Sequence, residues 1–256
     1  MFLKIKGKRK NKGVKRHFQR YELKYHIKNE ERELILKNIQ NFIVKDPYNK
    51  TFLSEDIPGY FVNSLYFDTK HRDFYFQKLD GIEKRKKYRI RVYEEFHESK
   101  KFFLEIKRKN NDITYKDRTV LNQKDFLDLM GNDDHFYELE KKAQEDKEVL
   151  EELYFDKYMM HLEPAVRVAY FREAYFWEAS EEVRLTFDHN IQYYHTKNLL
   201  NKKQVSFDGW SDDIVFEIKI KGYMPFWLSN IVKRLNLEAH AFSKYCNGID
   251  ELEKMI

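Results

Sequence analysis

From Arg85 onward the chain places charge at every second position. Residues 85–93 run Arg85, Lys86, Lys87, Tyr88, Arg89, Ile90, Arg91, Val92, Tyr93, and residues 102–107 run Phe102, Phe103, Leu104, Glu105, Ile106, Lys107. Positions two apart in a β-strand share a face. Arg85, Lys87, Arg89 and Arg91 therefore line one face, as do Glu105 and Lys107, while Tyr88, Ile90, Val92, Leu104 and Ile106 take the other. The same grammar recurs at Arg20–Tyr25 and at Ile214–Lys221. Four segments thus set an apolar face against one of cations and a few carboxylates. Such strands suggest a sheet curled around a strongly anionic ligand.

Strand candidates fall at 18–27, 60–69, 84–95, 100–109, 112–121, 163–176, 182–192 and 213–221. Eight antiparallel strands can close into a barrel that holds side chains or one small ligand. If helices cover the apolar face, the ionic face points into the lumen; the alternative is an open sheet with its ionic face in water. The pattern alone leaves both open. A cationic lumen has a cost, since like charges about 6 Å apart repel by about 3 kcal/mol at an effective dielectric near 20. Glu22, Glu105 and Glu217, each two residues before a Lys, offset part of it. A bound polyphosphate would offset the rest, and a hard divalent cation would reconcile the carboxylates with phosphate.

Helical spacing appears at 30–43, through Leu34, Ile35, Ile39, Phe42 and Ile43. A longer stretch, 123–161, breaks near Gly131-Asn132, and another helix is expected at 226–237, where Trp227, Leu228, Ile231, Val232 and Leu235 form a core stripe. Pro47 and Pro58-Gly59 read as loop punctuation. Residues 1–16 are dominated by Lys and Arg and read as a basic flexible tail, or as a contact for anionic lipid or polyanion. The remainder, 17–256, reads as one domain.

Net charge is only +5, from 48 basic and 43 acidic residues, so the arrangement of charge matters more than its sum. The single cysteine, Cys246, excludes an internal disulfide and fits a reducing compartment. The first residues lack an apolar signal core, and no run approaches a membrane span, so a cytoplasmic location is expected.

Each candidate has a plainer reading. Arg89 and Arg91 could be solvent-facing residues paired across to Glu105, Glu217-x-Lys219 could be ordinary strand pairing, and Asp68 and Asp188 could serve turns. The nine histidines show no zinc-type spacing, and P-loop, dinucleotide and nucleophile-elbow motifs are missing. Ser243-Lys244 is half of a Ser/Lys pair without a supporting base. A basic sheet with aromatics could bind single-stranded nucleic acid, but the aromatics mostly take the face opposite the cations, so no nucleic acid is expected.

In order, Arg20-x-Glu22-x-Lys24-Tyr25, Ser64 to Thr69, Arg89-x-Arg91-x-Tyr93, Glu105-x-Lys107, Lys116-x-Arg118, Pro164-x-x-Arg167-x-x-Tyr170-x-Arg172, Val183 to Asp188, Glu217-x-Lys219, Pro225-x-Trp227 and Ser243-Lys244-Tyr245 resemble the catalytic domain of the vacuolar transporter chaperone (VTC) polyphosphate polymerases. These belong to the triphosphate tunnel metalloenzymes, with their CYTH-type barrel. The resemblance implies an α+β fold, an eight-stranded antiparallel tunnel with helices packed outside. It implies that Lys24, Arg89, Arg91, Lys107, Arg167, Lys219 and Lys244 grip phosphates, with Lys116, Arg118 and Arg184 in support. Glu217 would hold Mn²⁺ or Mg²⁺, helped by Glu22 and Glu105. Arg20 stands where the CYTH pattern has a Glu; that exchange shifts the site toward phosphate grip and favours the polymerase branch over simple triphosphatases. The implied activity is transfer of the γ-phosphoryl group of ATP to inorganic polyphosphate. The rivals are a triphosphatase using the same tunnel and a non-catalytic polyphosphate-binding module. Any membrane coupling, at the inner face of a membrane, would need a separate partner.

Overall fold

The computed structural model describes residues 20–54, 57–94, 96, 98–110, 113–131, 144–196 and 212–254. The basic segment 1–16 lies outside them. Ten strands are present: β1 (Arg20–Ile27), β2 (Ile43–Lys45), β3 (Thr51–Ser54), β4 (Ile57–Asp68), β5 (Lys84–Val92), β6 (Phe102–Asn110), β7 (Ile113–Leu121), β8 (Glu163–Trp177), β9 (Ser180–Tyr194) and β10 (Ile214–Lys221). Six helices accompany them: α1 (Asn29–Ile39), α2 (Asp73–Leu79), α3 (Gln123–Met130), α4 (Gln144–Met160), α5 (Phe226–Arg234) and α6 (Lys244–Glu253).

The sheet is antiparallel and runs β1-β10-β9-β8-β4-β5-β6-β7, with β2 added to β8 and β3 to β4. All eight predicted strands lie on that path. The two additions are too short to show a period, and β3 is paired through the Pro58-Gly59 stretch, which is strand and not loop. Gly59 is required there, because a Cβ would sit 2.3 Å from the carbonyl oxygen of Arg172 on β8. Helix α1 ends at Ile39, short of the expected 43, because Ile43 pairs with Trp177 in the sheet.

The apolar face is covered by helices. On one half, Tyr88, Ile90, Leu104 and Ile106 pack with Phe126 and Leu129 of α3 and Leu150 and Leu153 of α4. On the other, Leu185, Phe187, Phe216 and Ile218 pack with Ile35 and Ile39 of α1 and Leu228 and Ile231 of α5. A fully buried aliphatic or aromatic side chain contributes about 1.5–3 kcal/mol, so this burial fixes which face turns outward. The ionic face is therefore concave.

A closed barrel was expected, and among the described residues no ladder joins β1 to β7. The sheet is nevertheless strongly curled: Lys107 of β6 reaches Glu22 of β1 at 2.9 Å. The free edge of β1 receives the backbone N–H of His240, at 2.8 Å from the Lys24 carbonyl, so the segment leading into α6 occupies a place a closing strand would need. Helix α6, which the sequence reading missed, packs on the concave side, with Tyr245, Cys246 and Ile249 against Tyr66, Val166, Val168 and Tyr170. Asp68, read as a turn residue, accepts hydrogen bonds from the backbone of Thr69, Phe74 and Tyr75 at the start of α2 and from the hydroxyl of Tyr245.

One buried ion pair fastens α1 to the outer face. Arg32 donates two 2.7 Å hydrogen bonds to Glu173 of β8, which also accepts from the Tyr175 hydroxyl at 2.6 Å. Removing one partner of a buried pair strands the other charge. Glu173→Ala is therefore expected to lower unfolding stability by about 3–5 kcal/mol in urea denaturation. The paired change Arg32→Met with Glu173→Leu is expected to restore most of the loss.

Candidate active site

The register decides which side chains meet. Lys24 lies opposite Glu217, and Glu22 opposite Lys219, across β1–β10; Lys219 lies opposite Arg184, and Glu217 opposite Thr186, across β10–β9. Arg172 of β8 lies opposite Asp188 of β9 and, on its other side, opposite Tyr60 of β4. Directly paired residues share a face, so all these groups point into the concavity.

At its centre is a knot of opposite charges. Glu217 accepts from Lys219 at 2.7 Å, with Arg172 at 3.6 Å and Lys24 at 3.8 Å. Arg172 forks onto Asp188 at 2.6 and 2.7 Å, and Lys244, at the start of α6, reaches Asp188 at 2.6 Å. Burial pushes the Glu217 carboxyl up, but Lys219, Lys24, Lys244 and Arg172 together hold it well below the usual carboxylate range. Burial, reinforced by neighbouring Arg172, brings the Lys219 ammonium down to about 7.

A second knot lies on β5, β6 and β7. Glu105 is fully buried, and burial alone would raise its pKa; Arg89, Arg91 and Lys116 outweigh that and depress it. It accepts from Arg89 at 2.6 Å and Lys116 at 3.0 Å, with Arg118 at 3.2 Å. Arg91 is also buried but meets only hydroxyls, Ser64 at 3.1 Å and Tyr170 at 3.3 Å, and has no carboxylate within 4.0 Å among the described residues. Lys87, likewise without a carboxylate, donates to Ser243 at 3.1 Å and sits 5.0 Å over the Tyr245 ring. Burial lowers the Lys87 ammonium. Burial would raise the Tyr66 phenol, but Arg89 and Arg91 bring it down to about 8.

The concave face therefore gathers Lys24, Arg89, Arg91, Lys107, Lys116, Arg118, Arg184, Lys219 and Lys244, with cations in excess over carboxylates. Arg184 stands at its margin, bonded to Asp46 at 2.7 Å and Tyr60 at 3.0 Å. The side chain of Arg20 lies outside the described residues. Arg167 does not join the group. It pairs with Leu65, whose side chain belongs to the outer core, and its Nε donates to Asn63 at 2.9 Å with the guanidinium over Phe96 and Tyr194. The odd spacing between Arg167 and Arg172 on one regular strand allows only one of them to face inward, and that one is Arg172. Parity counted from the quoted Tyr170-x-Arg172 would have found it. Asp188, read as a turn residue, is mid-strand and holds both Arg172 and Lys244.

The expected metal ligands do not come together as a trio. Glu105 is enclosed by its own three cations, and among the described residues no group of three or more His, Cys, Asp or Glu is placed to hold a metal. Glu217 and Glu22, diagonal neighbours on adjacent strands, remain as hard oxygen donors. Lys107 offsets the burial that would raise Glu22 and leaves that carboxyl lowered. Beside Glu217, the buried Thr186 hydroxyl has no hydrogen-bond partner among the described residues. Two carboxylates and an orphaned hydroxyl are hard oxygen donors of the kind that would suit a divalent cation.

Comparison with known proteins gives a consistent family. A profile of the VTC domain matches residues 19–253. Vacuolar transporter chaperone complex subunit 4 of Schizosaccharomyces pombe (strain 972 / ATCC 24843) is 26% identical over 289 aligned residues, covering 97% of this chain. The chain spans 39% of that protein's length. Among solved structures, a putative adenylyl cyclase from Hippeastrum, described as having a dominant triphosphatase activity, superposes with a TM-score of 0.51 at 16% identity, over 90% of this chain and 95% of that one. That likeness is one of fold. Since the profile spans every strand of the concave face, the chain belongs to the VTC-domain family.

Proposed function

We propose that the chain is a polyphosphate polymerase, which transfers the γ-phosphoryl group of ATP to the end of an inorganic polyphosphate chain. The observation that carries the reading is the surplus of inward cations, above all buried Arg91, which among the described residues has neutral hydrogen-bond partners only. Such a face favours a ligand bearing several negative charges in a row. The family match and the relative named for a vacuolar transporter chaperone complex support the polyphosphate reading.

In this mechanism a terminal phosphate oxygen of the acceptor attacks the γ-phosphorus. The new P–O bond forms as the bond to the β-phosphate oxygen breaks, and ADP leaves. No protein nucleophile is needed. Catalysis then rests on positioning and on charge stabilisation. Arg172, Lys219 and Lys244 exchange their carboxylate partners for phosphate oxygens, while Arg89 and Arg91 orient the chain. A divalent cation, Mn²⁺ or Mg²⁺, held by Glu217 and Glu22 would supply Lewis-acid polarisation of the phosphates when bound. No helix among the described residues is long and apolar enough to cross a membrane. On this reading the domain works at the cytoplasmic face of a membrane, in keeping with a relative named for a vacuolar transporter chaperone complex.

The deciding experiment is to incubate purified protein with ATP, Mn²⁺ or Mg²⁺ and a short polyphosphate primer. ADP release matched by lengthening chains on a gel is expected. Stoichiometric orthophosphate without polymer would instead identify a triphosphatase. Within the polymerase reading, Arg172→Gln is expected to reduce turnover about 10²-fold, while Arg167→Gln leaves turnover per folded molecule within about threefold. Equal losses in steady-state assays would show that strand parity does not select the working arginine. Glu217→Gln is expected to lower turnover at least about tenfold across titrations of both metals, with an unchanged circular dichroism spectrum.

A further inference from the structure

Most strand aromatics lie opposite the cations, in the outer cores, but the concave face also carries a smaller set of rings. Four of these rings, Tyr60, Tyr93, Phe103 and Phe176, gather at one margin, contributed by neighbouring strands. Tyr60 of β4 and Tyr93, just beyond β5, meet edge to face at 5.8 Å, and Tyr93 meets Phe103 of β6 at 5.4 Å. Arg118 of β7 lies 4.3 Å over the Phe103 ring, and Arg184 of β9 lies 4.9 Å over Phe176 of β8. The register ties this rim to the deep cations. Tyr60 pairs with Arg172, Phe103 pairs with Arg91, and Tyr93 follows Arg91 by two residues.

We propose that this rim, centred on Tyr93, seats the base of a nucleoside triphosphate whose phosphates run inward toward Arg91 and Arg172. The inference rests on the phosphate-transfer reading above and adds where the nucleoside end of the donor lies. A core ring would be sealed, whereas Tyr93 keeps 40% of its surface exposed beside Arg118. Planar bases stack on aromatic and guanidinium faces alike. The rim is built for stacking and not for reading base edges. Its two phenolic oxygens already accept from arginines, Tyr60 from Arg184 at 3.0 Å and Tyr93 from Arg118 at 3.0 Å. The site therefore takes purine nucleotides with little discrimination between adenine and guanine.

The test measures binding of ATP, GTP and inorganic tripolyphosphate, each with Mg²⁺, by isothermal titration calorimetry. Tyr93→Ala is expected to weaken ATP and GTP about tenfold and to leave tripolyphosphate, which has no base, within about twofold. Tyr93→Phe keeps the ring but loses the hydroxyl, and should bind all three as the wild type does. Phe103→Ala should give the same split and serves if Tyr93→Ala does not fold. Equal weakening of tripolyphosphate and ATP would overturn the proposal, and so would unchanged ATP binding in both alanine variants. A wild-type protein that binds ATP but not tripolyphosphate would overturn the phosphate reading. One that binds all three, with every variant unaffected, would overturn the rim alone.

Discussion

The two-faced strand is the constraint on which this structure depends. In the middle of β5, β6 and β10, apolar side chains such as Tyr88, Ile90, Leu104, Ile106 and Ile218 alternate with ions such as Arg89, Arg91, Glu105, Lys107, Glu217 and Lys219, which resist burial. Helices α1, α3, α4 and α5 remove the apolar side from water, which leaves the ions only the inside of the curve. Once there, their mutual repulsion has to be offset. Glu22, Glu105, Asp188 and Glu217 do so in part, each gripped by at least one cation. The offset is incomplete, and the incompleteness is what suits the face to an anionic ligand.

The buried pairs also set how the site responds to a ligand. A carboxylate held by several cations keeps them ordered in its absence. Under the proposed function, the same cations can turn to the oxygens of a phosphate chain without first being organised. Preorganised charge of this kind stabilises a transferring phosphoryl group more than mobile charge in water does. Helix α6 contributes to the ordering. It brings Lys244 to Asp188 and Ser243 to Lys87, and it packs Tyr245 and Ile249 against the inner surface. Its approach along the edge of β1 accounts for a curled sheet that has no closing ladder there among the described residues.

Much of this was legible in the chain. The eight strands of the main path and the shared face of Lys24, Arg89, Arg91, Lys107 and Lys219 follow from period-two alternation; that this face turns inward follows from the helices that bury the other. Register and packing were not legible. Arg167 was assigned by its position in a motif, while pairing with Leu65 turns it outward and gives its place to Arg172. Asp188 looked like a strand end, and only its pairing with Arg172 shows it to be part of the central knot. The three proposed metal carboxylates have like sequence surroundings, yet Glu105 is drawn into a separate cage of cations.

By itself, then, the sequence determined the local alternation, and through it a sheet with one wet, cationic side. Tertiary structure decided which cations share the concave face, where aromatic rings join them, and that among the described residues the curl stops short of a closed ladder. The physical reason is that alternation is a property of one strand, whereas the placing of Arg172 beside Asp188, of Tyr93 beside Tyr60 and of α6 inside the curve depends on contacts between segments distant in the chain.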